Sequence, residues 1–270
     1  MPKPTVPLNI DSVKERLAGT RFADVRYQRE TGSTNSDALE LLGDPTARGT
    51  TIVTDYQTAG VGRKGRSWFA PPGSALLFTT ILPGTIATHA LWAVPFWIAL
   101  AVAQGVEDCC GSVLELVWPN DLYARGGKTG GILSVARIAG DDAAVGCGVG
   151  LNVCRPLSDA DLDALQPQPV FLDEIDAAVK REPLLAAILA AFDDTLEALH
   201  DPDAVARNWE LRADLAGTTY RYRRDSDGAE RDGIALRIGS HGALIVRDAA
   251  GETAVDLADV RIIGRARGTA

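Results

Sequence analysis

Between Pro183 and His200 the apolar positions Leu184, Leu185, Ile188, Leu189, Phe192, Leu196 and Leu199 share one face at helical spacing. They predict an amphipathic helix opened by proline. His89–Glu107 is apolar nearly all round and predicts a buried helix, and Asp11–Leu17 and Asp203–Leu211 predict shorter ones. Strand patterning marks Val25–Arg29, Thr51–Asp55, Ala75–Leu82 and Leu114–Val117. Gly131–Ala139 and Ala143–Val153 read as a hairpin around Gly140-Asp141-Asp142. The second of these strands has glycine at 146, 148 and 150, which marks a bulge, a close approach to backbone or ligand, or a helix packed on a bare sheet face. From Leu215 the texture changes to short strands at Thr218–Arg223, Arg231–Ile238, Ala243–Arg247 and Thr253–Leu257, separated by glycine turns. That spacing predicts a small β-barrel. The expected division is an N-terminal extension (1–23), a main domain (24–214) and a small β domain (215–270). Residues 1–9 read as loose, and 155–182 as irregular and acidic.

Charge sharpens this picture. The 270 residues carry a net charge of −9, and residues 215–270, with nine Arg against eight acidic residues, are close to neutral. Nucleic-acid coating is therefore disfavoured. Cys109, Cys110, Cys147 and Cys154 form no CxxC, and His89, His200 and His241 are isolated. Structural thiols in a reducing compartment follow, without a zinc site or a histidine triad. No cationic start precedes an apolar run at the N-terminus, and the apolar run 87–106 contains Pro95. A cytoplasmic protein that neither spans nor enters a membrane is expected.

Against that acidic background, the only Lys and Arg residues between 49 and 136 are Arg63, Lys64, Arg66, Arg125 and Lys128. All five lie in two glycine-rich loops, Thr54–Trp68 and Trp118–Gly131. Glycines let backbone N–H groups turn toward an anion, and arginine adds a planar fork suited to phosphate or carboxylate. Taken alone, such a loop reads first as a solvated turn, and two of them in an acidic chain point toward an anion site. The first is neither a Walker A loop nor a dinucleotide fingerprint. Ser33-Thr34-Asn35 precedes a helical run, where one hydroxyl suffices as N-cap and three hydrogen-bonding side chains exceed that need. Asn120-Asp121 follows Trp118-Pro119, where a structural turn and a site role are both open.

Taken in order, these segments resemble the biotin protein ligase family. Its pattern has Ser-Thr-Asn, a Gln before a Gly-Arg-Gly-Arg-Arg-Gly-Arg loop ending near Trp, Trp-Pro-Asn-Asp, a Lys followed by Gly-Ile-Leu, and Gly-x-Gly-x-Asn. The chain has Ser33-Thr34-Asn35, Gln57, Gly60-Val61-Gly62-Arg63-Lys64-Gly65-Arg66-Ser67-Trp68, Trp118-Pro119-Asn120-Asp121, Lys128 with Gly131-Ile132-Leu133, and Gly148-Val149-Gly150-Leu151-Asn152. Val61 and Lys64 stand where the pattern has arginine. The resemblance implies an α+β fold: a mixed β-sheet with flanking helices, then a small SH3-like β-barrel. It also implies ATP-dependent activation of biotin to biotinyl-5′-AMP, then transfer to a lysine of a biotin carboxyl carrier domain of an acyl-CoA carboxylase, with Mg2+. Repressor members carry an N-terminal helix-turn-helix; about 24 residues precede the catalytic region, too few for one, so no repressor function is expected.

The implied catalytic residues are Arg63, Lys128 and Asp121, with Asp121 also the candidate Mg2+ ligand. Biotin contacts are implied at Ser33, Thr34, Asn35, Gln57, Gly62, Arg63, Lys128, Gly130 and Gly131. ATP and phosphate contacts are implied at Gly60, Arg63, Lys64, Gly65, Arg66, Trp68, Asn120 and Asn152. The chemistry agrees: a carboxylate approaching a polyphosphate needs fixed cations, and a ureido group needs matched donors and acceptors. Trp68, Ile132 and the 148–150 strand are candidate apolar walls. The loop 60–68 is expected to be mobile until ligand orders it. A lipoate or octanoate transferase, a non-catalytic biotin or nucleotide binder and a DNA-binding regulator are the competing readings, the last the weakest.

Overall fold

The computed structural model describes residues 7–156, 162, 165–249 and 251–266. The expectation for residues 1–9 thus falls mostly outside the described residues, as does part of that for 155–182. The first sheet contains β1 (Val25–Thr31), β2 (Thr51–Gln57), β3 (Ala75–Ala87), β4 (Glu115–Val117), β5 (Asp121–Ala124), β6 (Gly127–Ala139) and β7 (Asp142–Asn152). Its order is β1-β2-β3-β7-β6-β5-β4. The β1–β2 pair is parallel and the other pairings are antiparallel, so the sheet is mixed.

Strand alternation divides this sheet into two faces. On β7, Val145, Cys147, Val149 and Leu151 enter the main core with α3 (Val94–Cys110) and α4 (Arg181–Thr195). Its Gly146, Gly148 and Gly150 face the other way, the first two toward α2 (Thr34–Leu41) and Gly150 toward Trp68. Helices α3 and α4 touch at backbone distance, since a Cβ on Gly105 would lie 2.6 Å from Ile188 Cα. The indole of Trp97 donates to the Thr195 carbonyl at 3.0 Å between the same helices. Helix α3 ends at Gly111, whose φ of 64 suits glycine. Thr88–Cys110 is long and apolar enough to cross a membrane, yet most of α3 lies in the main core. α1 (Ile10–Arg16) adds Val13 to the same core.

After α5 (Pro202–Ala213) the chain forms β8 (Thr219–Arg224), β9 (Glu230–Ile238), β10 (Leu244–Asp248), β11 (Gly251–Val255) and β12 (Val260–Ala266), in the order β11-β10-β9-β8-β12. This antiparallel sheet matches the expected small β unit, with one strand more than the pattern predicted. The Trp118 indole donates to the Gly242 carbonyl at 3.1 Å, and Arg265 pairs with Glu115 at 2.6 Å. Both contacts tie the second sheet to the β4 side of the first.

Three local readings change. Helix α1 begins at Ile10, one residue before the expected start, and is capped by Asn9, whose side chain accepts from the Ser12 N–H. Residues 88–93 form a 3-10 turn before α3. The second basic loop is mostly strand: β5 and β6 meet at a tight turn in which Arg125 (φ 48) and Gly126 (φ 80) are left-handed.

Candidate active site

A cavity of about 860 Å³ opens on the glycine face of the first sheet. Ser33, Thr34, Asn35 and Gln57 line one end, and Arg63, Arg66, Asn120, Asp121, Lys128 and Asn152 line the other. Gly148, Gly150 and Gly131 form the floor between them.

The neutral end is built by α2 entering the sheet. Ser33 is the N-cap residue but makes no side-chain cap bond. Gln57 takes over that task from β2: its Oε1 accepts from the Thr34 N–H at 2.8 Å and from the Thr34 hydroxyl at 3.1 Å. The Asn35 amide donates to the Leu133 carbonyl at 3.0 Å and accepts from the Thr79 hydroxyl at 2.7 Å. Thr34 and Asn35 are therefore committed to the protein. Among the described residues the Ser33 hydroxyl and the Gln57 amide nitrogen make no hydrogen bond, and both residues line the cavity, where they can meet a polar ligand.

The floor must be bare. A Cβ on Gly148 would lie 2.2 Å from Asn35 Oδ1, and one on Gly150 would lie 2.8 Å from the Trp68 indole. The alternating glycines thus admit the start of α2 and the Trp68 ring, so close approach and helix packing both hold. Lys128 Nζ stands 5.7 Å from the Trp68 ring centre. The indole nitrogen of Trp68 is buried without a hydrogen-bond partner among the described residues.

The cationic end mixes fixed and free charges. Lys128 donates to Asp121 Oδ1 at 2.6 Å. The Arg63 guanidinium reaches Asn120 Oδ1 at 3.4 Å and donates to the Leu257 carbonyl at 2.5 Å. Burial, and then the nearby Arg66 charge, push its pKa below the ordinary arginine value. Among the described residues, the Arg66 guanidinium makes only a 3.3 Å bond to the Arg63 carbonyl, so its charge is available. The loop carrying these cations is a tight hairpin: Gly62 N–H donates to the Arg66 carbonyl at 2.6 Å and Trp68 N–H to the Gly60 carbonyl at 2.8 Å.

The chain is similar to known proteins. Residues 27–152 match the Biotin/lipoate A/B protein ligase family. The chain is 34% identical over 242 residues to a biotin--[acetyl-CoA-carboxylase] ligase of Paracoccus denitrificans, covering 85% of this chain and 97% of the relative. The chain belongs to the biotin protein ligase family. A second member, from Mycobacterium tuberculosis, is 29% identical over 92% of this chain and 93% of the relative. The fold matches that of the Aquifex aeolicus biotin protein ligase solved with biotin and ATP, with a TM-score of 0.71 at 21% identity, over 89% of this chain and 98% of that one.

Seen as a member of this family, the chain brings most of the expected residues to one cavity, with four exceptions. Gly60 and Gly65 lie outside the lining and shape the loop: a Cβ on Gly60 would sit 2.5 Å from the Trp68 carbonyl, and Gly65 has φ 71. Lys64 also lies outside it and pairs with Asp225 instead. Gly130 faces away, where a Cβ would lie 2.9 Å from the Gly150 carbonyl. Both Gly130 and Gly131 sit in a strand paired on each side, and only Gly131 adds bare surface to the cavity.

The lining also includes residues that sequence reasoning missed. Tyr123 follows Asp121 at strand spacing on β5, a signal that was available. Its phenol is pushed up to about 12, first by burial and then by Asp121. Arg261–Arg265 come from β12, which had no pattern to announce it. Asp121 is the carboxylate of the lining among the described residues, and no group of three or more His, Cys, Asp or Glu converges among them. Such a donor set suits a hard cation carried in on phosphate oxygens and not an all-protein cage.

Proposed function

We propose that the chain activates biotin with ATP, releasing pyrophosphate, and passes biotin from biotinyl-5′-AMP to a lysine of an acceptor protein. One observation carries this: a neutral hydrogen-bonding end and a cationic end share one cavity across a bare floor. The acceptor is assigned as the biotin carboxyl carrier domain of an acyl-CoA carboxylase, in line with the Paracoccus denitrificans relative's name.

In this reading Ser33 and Gln57 meet the ureido group, and Trp68 with the glycine floor walls the apolar chain. Arg63 and Lys128 stand at the centre where carboxylate meets phosphate. Their fixed charges offset repulsion in the ground state and hold the charge that develops on displacement. Asp121 orients the Lys128 ammonium through its 2.6 Å bond. Arg66 and Asn152 take the phosphate periphery. Mg2+, when bound, would neutralise phosphate charge; the Asp121 carboxylate together with phosphate oxygens would hold it. The catalytic unit is assigned to residues 24–214 and the small β unit to 215–270, the change of sheet at β8 supporting that division.

The test is mass spectrometry of a purified carrier domain after incubation with the protein, biotin and Mg-ATP. A gain of one biotin on one lysine is expected. Biotin-dependent pyrophosphate without that gain would sink the acceptor assignment, and neither product from folded protein would sink the ligase reading.

A further inference from the structure

The tip of the basic loop is gripped from outside the cavity. Lys64 is left-handed at φ 57, a conformation that side-chain-bearing residues rarely adopt. Its ammonium pairs with Asp225, in the turn between β8 and β9. One residue earlier, the Arg63 guanidinium donates at 2.5 Å to the carbonyl of Leu257, which precedes β12. These partners lie 161 and 194 positions away in sequence, and both belong to the five-stranded unit.

Asp225 is itself well held. Its N–H donates to the Asp259 carbonyl at 2.9 Å, and the Ser226 N–H and hydroxyl each donate to the Asp259 carboxylate at 2.8 Å. Arg261, which lines the cavity, adds positive field at the same carboxylate. The second sheet thus presents a fixed anion to the loop's turn, and Lys64 points to it and away from the cavity.

We propose that Asp225 is a positioning residue for the ligase reaction: by pairing with Lys64 it fixes the basic loop against the second sheet, so that Arg63 and Arg66 face the phosphates. Lys64 acts through the loop and not on the substrate. The inference rests on the ligase reading. The pair is partly exposed, with Lys64 23% and Asp225 47% accessible, so its effect is modest and its removal leaves the fold intact.

The experiment compares wild type, Asp225→Ala, Lys64→Ala and the exchanged pair Lys64→Asp/Asp225→Lys in the full chain. Two quantities are read: the rate of tryptic cleavage after Arg66, and KM for ATP set against KM for biotin. Asp225→Ala is expected to raise cleavage and KM for ATP roughly two- to five-fold. KM for biotin and Tm hold, and the exchanged pair returns toward wild type. Wild-type values of both quantities in Asp225→Ala would overturn the proposal. So would a raised KM for ATP in Lys64→Ala alone, which would put Lys64 on the substrate. Wild-type protein that releases no pyrophosphate would overturn the ligase reading, and the cleavage rates would still judge the Lys64–Asp225 contact.

Discussion

The bare floor makes the sharpest prediction. In Gly148→Ala the new methyl would lie 2.2 Å from Asn35 Oδ1 and 2.5 Å from the Leu133 carbonyl oxygen. The second obstacle is backbone, held in register because Leu133 pairs with Gly148. Asn35 must therefore leave, losing its 3.0 Å bond to Leu133 and its 2.7 Å bond from Thr79. Two hydrogen bonds at about 1 kcal/mol each, with about 1–3 kcal/mol for overpacking, give a loss of about 3–5 kcal/mol. For a chain of this size that lowers Tm by roughly 6–20 °C. Thermal unfolding followed by circular dichroism measures it, and titration calorimetry with biotin measures the accompanying loss of affinity. Asn35→Ala in the same background should recover at least about 1 kcal/mol, because the polar half of the clash is gone. A Gly148→Ala protein that melts within about 2 °C of wild type would refute the argument.

Other outcomes follow from the same geometry. Lys128→Ala should keep its circular dichroism spectrum while biotin-dependent pyrophosphate release falls about 10²–10³-fold; wild-type turnover would remove Lys128 from the chemistry. Breaking the buried Arg181–Asp55 pair, at 2.6 Å and joined by the Tyr27 hydroxyl at 2.6 Å, should cost about 3–5 kcal/mol when Arg181→Met leaves the Asp55 charge with the Tyr27 bond but without this cation, measured by urea unfolding. An unchanged midpoint would show that the pair is not desolvated. Tyr27 and Tyr123 are each pushed up to about 12 by burial, then by Asp55 and Asp121 respectively, from an ordinary 10.0. Their neutral forms are favoured by folding, so this stability is full below pH 10 and is lost as pH rises toward 12. Ultraviolet titration in which every tyrosine ionises near pH 10 would contradict it.

Local periodicity and punctuation along the chain were enough to place several elements. The face of α4, the hairpin of β6 and β7, and the run of short strands after Leu215 were legible because burial forces apolar residues onto one face at 3.6 or 2 residues per repeat. The cations of Arg63, Arg66 and Lys128 were legible because a cluster of charge in glycine-rich sequence stands out from an acidic chain. Tertiary structure alone decided which groups remain free. Thr34 and Asn35 look equivalent to Ser33 along the chain, yet Gln57, Thr79 and Leu133 claim them from other strands. Lys64 looks equivalent to Arg66, yet Asp225 claims it. Asp225 and Arg261 reach the loop and its cavity only because β8 and β12 pair in a sheet set against the first. Hydrogen bonds and ion pairs between residues 23 to 161 positions apart leave no period in a sequence, because their geometry is set by how the layers stack.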